Sequence, residues 1–173
     1  MFNRRELMTA GALAGVALAA SSAGCRRTSY GFLKERDAAT LAAICDQVIP
    51  ADDFPSASQA GVLNYIDLQL LGHYRRHQKT YRDGLKQADE LSRSRFEVEL
   101  AVASPQQQFQ IVSAIEKDNK PFFDLVRAHT MQGYYGTPRH GGNRDAVSWR
   151  MLGLDEPPLR GRAQYDLTAE TRR

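Results

Sequence analysis

A chain of 173 residues leaves about 150 for one domain with its own core, once an N-terminal leader is set aside. Its net charge of +3 and pI of 9.0 do not mark a nucleic-acid binder, because Lys and Arg are scattered and form no basic stripe interleaved with aromatics. Two cysteines, Cys25 and Cys45, cannot by themselves hold an iron–sulfur cluster or a structural zinc.

Residues 1–25 read as a twin-arginine export signal. Arg4 and Arg5 precede Leu7, Met8 and an uncharged stretch through Leu13, Val16 and Leu18 that closes on Ser21, Ser22, Ala23 and Gly24. The stretch is mostly Ala and Gly, weaker than the roughly 20 strongly apolar residues of a permanent anchor. Its two exits differ in consequence. Cleavage after Ala23 suits the small residues Ser21 and Ala23. Acylation of Cys25 would instead make a lipoprotein, although the usual bulky apolar residue three positions before the Cys is missing. In an oxidising compartment Cys25 and Cys45 can also pair, with each other or with a partner chain.

Beyond the leader, residues 26–155 predict an all-α domain. Asp37 is positioned to cap a helix whose Leu41, Ile44, Cys45 and Val48 recur at helical spacing, and Pro50 ends it. There Cys45 reads as a buried small hydrophobe. A loop over 51–58 holds Asp52, Asp53 and Pro55. Val62, Leu63, Ile66 and Leu70 line a second helix, which Gly72 breaks or bends. Tyr74, Tyr81, Leu85, Ala88 and Leu91 carry the period onward. Ser104-Pro105-Gln106-Gln107 is a capping box with Pro in the first turn, leading a helix lined by Phe109, Val112 and Ile115. Asn119 and Pro121 start the next, with Phe122, Leu125, Val126 and His129 inward and Gly133 or Gly136 as its stop. No segment alternates with period two for long. The expected architecture is therefore a small orthogonal bundle of about five helices, with a Gly-rich loop over 136–148 and a polar, extended tail over 156–173.

Few residues promise chemistry. His73 and His77 stand four apart on an expected helix, a spacing that can hold a metal, but Tyr74-Arg75-Arg76 lies where a metalloprotease motif has its Glu, and the cations oppose a metal ion. Asp52 and Asp53 are adjacent in a Pro-bounded loop, where acids cap turns more often than they converge on a substrate. His129 on an apolar face reads as a hydrogen-bonded core histidine. His140 sits in Gly136-Thr137-Pro138-Arg139-His140-Gly141-Gly142-Asn143, which lacks the preceding strand and Lys-Ser/Thr ending of a phosphate loop. No nucleophile elbow, dinucleotide fingerprint or CxxC occurs.

Two stretches carry a resemblance. One is Val48-Ile49-Pro50-Ala51-Asp52-Asp53-Phe54-Pro55 with Ala60-Gly61-Val62 and Tyr65-Ile66-Asp67. The other is Gly133-Tyr134-Tyr135-Gly136 with Pro138, Gly141-Gly142-Asn143 and Trp149. In this order, behind a twin-arginine leader, the chain resembles the gluconate 2-dehydrogenase subunit 3 family over roughly residues 37–153. The resemblance implies a non-catalytic small subunit with no cofactor of its own. It implies a flavoprotein large subunit that holds FAD and oxidises a sugar or sugar acid, and a multihaem cytochrome c subunit that carries haem c. It further implies that the small subunit binds the flavoprotein, helps it mature, and supplies the signal read by the twin-arginine translocase. The assembly would then sit in the periplasm, at the cytoplasmic membrane through its partners. Tyr134, Tyr135 and Trp149 are candidate interface anchors or else cover the core, with Asp52, Asp53, His140, Gly141, Gly142 and Asn143 beside them, because aromatic and Gly-rich loops suit protein contacts. Rival expectations are an independent periplasmic metal protein or enzyme using His73, His77, Asp52 or His140, and a lipoprotein scaffold anchored through Cys25.

Overall fold

The computed structural model describes residues 30–154. Arg4, Arg5, Cys25 and the tail over 156–173 lie outside them. Within them the protein is an all-α bundle of six helices: α1 (Glu35–Val48), α2 (Val62–Leu71), α3 (Gln78–Phe96), α4 (Pro105–Asp118), α5 (Lys120–Tyr135) and the short α6 (Val147–Met151). Helix α1 packs against α2, α3, α4 and α5, and α5 also closes on α2, α3, α4 and α6. The core runs between them through Leu41, Ile44, Ile66, Leu70, Tyr81, Leu85, Ile111, Ile115, Phe122 and Val126.

Local chemistry sets most of the boundaries. Helix α4 begins on the expected box: Gln107 N–H donates to Ser104 Oγ at 3.4 Å and Ser104 N–H to Gln107 Oε1 at 2.9 Å. Asn119 caps α5 through Phe122 N–H, and Gly136 ends it. Helix α2 starts after Gly61, whose φ of +83° is a left-handed value that a side chain would strain, and it ends at Gly72.

Four expectations are corrected. Asp37 is not a cap: Lys34 holds the N-cap position, and Asp37 lies in the first turn with Glu35, where an acid favours the helix dipole. Tyr74 belongs to no α-helix, because a turn and a single 3-10 turn over Arg75–His77 separate α2 from α3. Phe109 does not line the core but is 63% exposed. The buried face of α4 is Ile111, Val112 and Ile115, and at 100° per residue Phe109 points about 110° from its centre. The Gly-rich loop is not unbroken either: it holds 3-10 turns at Pro138–His140 and Arg144–Ala146, and α6 starts at Val147.

Buried polar groups are paired, as burial demands. Asp67, 3% exposed, accepts the backbone N–H groups of Gly31, Phe32 and Leu33 at 2.8, 3.0 and 2.9 Å, clamping the entering chain onto α2. Asp89 of α3 accepts from Thr40 Oγ1, Arg36 Nε and Leu100 N–H, which ties α1 to the segment before α4. His129 is the core histidine expected, hydrogen-bonded to Tyr81 Oη through Nδ1 at 2.9 Å. Cys45 is a fully buried free thiol that accepts from Thr130 Oγ1, and burial pushes its pKa up to about 12.

Candidate partner interface

The two stretches singled out in the sequence meet in space. Tyr134, on the last turn of α5, points inward and donates its hydroxyl to Pro55 O at 2.8 Å. It is 1% exposed, and burial first, then Tyr135 and Asp52, raises its pKa. Arg144 N–H donates to Ala60 O at 2.8 Å, and Asn64 Nδ2 donates to Gly141 O at 2.9 Å. Gly142 lies backbone to backbone on α5: a Cβ there would stand 2.2 Å from Gly133 O. Small residues are required where two main chains come this close.

Asn143 is the internal brace. It is fully buried, donates through Nδ2 to Gly136 O at 2.8 Å, and accepts Ser148 N–H on Oδ1 at 3.0 Å. One side chain thus joins the end of α5 to the start of α6. Asn143, Asp145 and Ala146 all have left-handed φ values, of 43°, 57° and 52°. Ala146 has no side-chain hydrogen bond to favour that conformation, so the loop is held against its local preference by its braces.

The nine candidate residues therefore divide. Tyr134, Gly142 and Asn143 are buried and shape the loops from within. Asp52, Asp53 and His140 are exposed, Tyr135 is 37% exposed, and Gly141 and Trp149 are half-buried. Trp149 Nε1 donates to Tyr135 O at 3.0 Å, fixing the indole beside the end of α5. Asp52 Oδ1 accepts Phe54 N–H at 2.8 Å, a local turn that stiffens its loop. Sequence reasoning missed Leu68, Met131, Leu152 and Leu154, exposed by 44–56%. Leu68 lies about 175° from the centre of the apolar face set by Val62, Leu63, Ile66 and Leu70, so helical spacing alone already places it outside the core.

The histidines do not form the expected helical pair. His73 follows Gly72 in the turn after α2, and His77 closes the 3-10 turn, so no helix face presents both. Tyr74 lies near each, with centroids at 5.1 Å from His73 and 6.1 Å from His77. Among the described residues no group of three or more His, Cys, Asp or Glu is placed to hold a metal, and no helix is long and apolar enough to cross a membrane.

The two motif-bearing loops are thus cross-braced at the end of an all-α domain. Residues 35–155 match the family described as gluconate 2-dehydrogenase subunit 3, and the chain belongs to that family. Its members are small, non-catalytic subunits of membrane-associated sugar dehydrogenase complexes, so this chain is an accessory subunit of an oxidoreductase complex. Comparison with curated proteins and with solved structures gives no match.

Proposed function

We propose that this chain binds the FAD-containing large subunit of a sugar or sugar-acid dehydrogenase, assists its maturation, and escorts it through the twin-arginine translocase into the periplasm. Residues 1–25 act as the export signal through Arg4 and Arg5. A multihaem cytochrome c subunit completes the complex at the cytoplasmic membrane and carries electrons onward, with FAD and haem c residing in those partners. The observation that carries this reading is the pairing of family membership over residues 35–155 with the Arg4-Arg5 leader ahead of it. A folded escort suits a route that carries folded cargo.

The contact surface in this reading is the exposed rim of the braced loops: Asp52, Asp53, Tyr135, His140 and Trp149. Rigid aromatic groups lose little freedom on binding, which favours Tyr135 and Trp149 as anchors. A partner that binds the folded flavoprotein also stabilises it by mass action.

The test is co-expression with the flavoprotein. The wild-type chain should raise soluble, FAD-loaded large subunit and deliver it to the periplasm. Arg4→Lys/Arg5→Lys should leave both chains in the cytoplasm. Normal periplasmic delivery of the flavoprotein beside that variant would sink the escort reading.

A further inference from the structure

The corner between α2 and α3 holds none of the five residues of the proposed contact rim, although Leu68 at its edge lies against Gly141. Leu68 and Leu71 stand one helical turn apart at the end of α2, each 47% exposed. The chain then turns at Gly72, and Leu71, Gly72, His73, Arg75 and Arg76 are all exposed. Among the described residues no ion pair involves Arg75 or Arg76, whereas Lys79, Lys86 and Arg93 of the following helix are each paired to a carboxylate.

The corner is also built rather than loose. Tyr74 N–H donates to Gln69 O and His77 N–H to Tyr74 O, both at 2.8 Å. The Tyr74 ring stacks on His129 at 4.3 Å with planes 9° apart, and its hydroxyl donates to Gln132 Oε1 at 3.2 Å. Gln78 Nε2 donates to Leu70 O at 3.0 Å across the turn. Two exposed leucines and two guanidinium groups without an ion pair among the described residues therefore flank one hydrogen-bonded turn.

We propose that this corner docks the protein on a bilayer surface rich in anionic phospholipid, with Leu68 and Leu71 entering the interface and Arg75 and Arg76 bonding headgroup phosphates. Charge complementarity selects the occupant. Guanidinium groups match phosphate oxygens in paired hydrogen bonds, and adjacent apolar side chains gain when they leave water for the acyl boundary. A bilayer accepts exposed apolar and basic side chains without a matching groove. An acidic protein would need one, together with partners for each leucine.

The experiment uses the chain from residue 26 onward, which keeps every described element, and vesicles of phosphatidylcholine with or without about one-third phosphatidylglycerol. The protein should sediment with the anionic vesicles and bind neutral ones about tenfold more weakly, and added salt should release it. Arg75→Gln/Arg76→Gln should weaken anionic binding about tenfold or more, and Leu71→Ser should weaken it severalfold, with the helical circular-dichroism spectrum unchanged. Arg95→Gln/Lys117→Gln, an equal loss of charge on α3 and α4, should leave it unchanged. Absent or lipid-indifferent binding overturns the proposal, and so does equal weakening by the two double variants. Intact vesicle binding by Arg75→Gln/Arg76→Gln, with lost binding to an acidic protein, overturns it in favour of a protein contact. No flavoprotein is present, so this result and that of the export test stand or fall separately.

Discussion

Gly142 is the tightest single contact of the braced loops. A methyl group there would overlap Gly133 O, and the obstacle is main chain rather than a movable side chain. Gly142→Ala is therefore expected to lift the loop from α5 and lower stability by about 1–3 kcal/mol, read as a lower urea midpoint with an unchanged m-value. The sequence marks residues 136–148 as Gly-rich and so as a loop. It does not say which glycine faces another backbone, because Gly133 and Gly142 meet only once α5 has been built and the chain has turned back. The same limit hides the role of Tyr134. As one of two adjacent tyrosines it reads as a surface anchor, yet its hydroxyl reaches Pro55, 79 positions earlier.

At the scale of elements, signals written within four residues were the readable ones. Ser104 and Gln107 satisfy each other's backbone donors, and α4 begins where they predict. Ser104→Ala removes the acceptor for Gln107 N–H and should cost about 1 kcal/mol, seen as an earlier unfolding midpoint in urea with α4 frayed at its first turn. Asn119 and Gly136 were legible for the same reason. Asp37 is no cap because a cap is defined by where the helix starts, and α1 starts earlier, just after the stretch 31–33 that Asp67 grips. Phe109 misled because spacing of three from Val112 puts it near the buried face without putting it on it. Exposed Phe109 shows how periodicity must yield to neighbours: it gives a face, but the packing of α1 and α5 decides its width.

For the whole molecule, acid sensitivity follows from the core. Burial first, then the charges of His77 and Arg76, pushes the His129 pKa down to about 4. The Tyr74 ring stacks on the imidazole and the Tyr81 hydroxyl meets its Nδ1, and among the described residues no carboxylate is paired with it. An unfolded histidine titrates near 6.5, so the unfolded chain takes up this proton first. Its contribution to stability is complete above about pH 6.5, declines as the pH falls toward 4, and levels off below that, an effect of a few kcal/mol at most. Urea midpoints measured from pH 7.5 to 4 should fall, and His129→Gln should flatten that slope even if it lowers the plateau. The all-α class and the membership of residues 35–155 were both legible from pattern and motif. The convergence of the two motifs was not, since nothing in the spacing of residues 55 and 134 brings them together.

The Asp67 clamp has a consequence for how such a domain can be re-engineered. The carboxylate holds the main-chain N–H groups of residues 31–33, not their side chains. A grip on backbone reads only N–H groups, so proline breaks it at any of the three positions, while the side chains answer to other neighbours: Leu33 lies in the core and Gly31 against Leu71. A different segment spliced ahead of Tyr30 leaves all three donors in place, so the bundle should keep its urea midpoint whatever precedes the clamp.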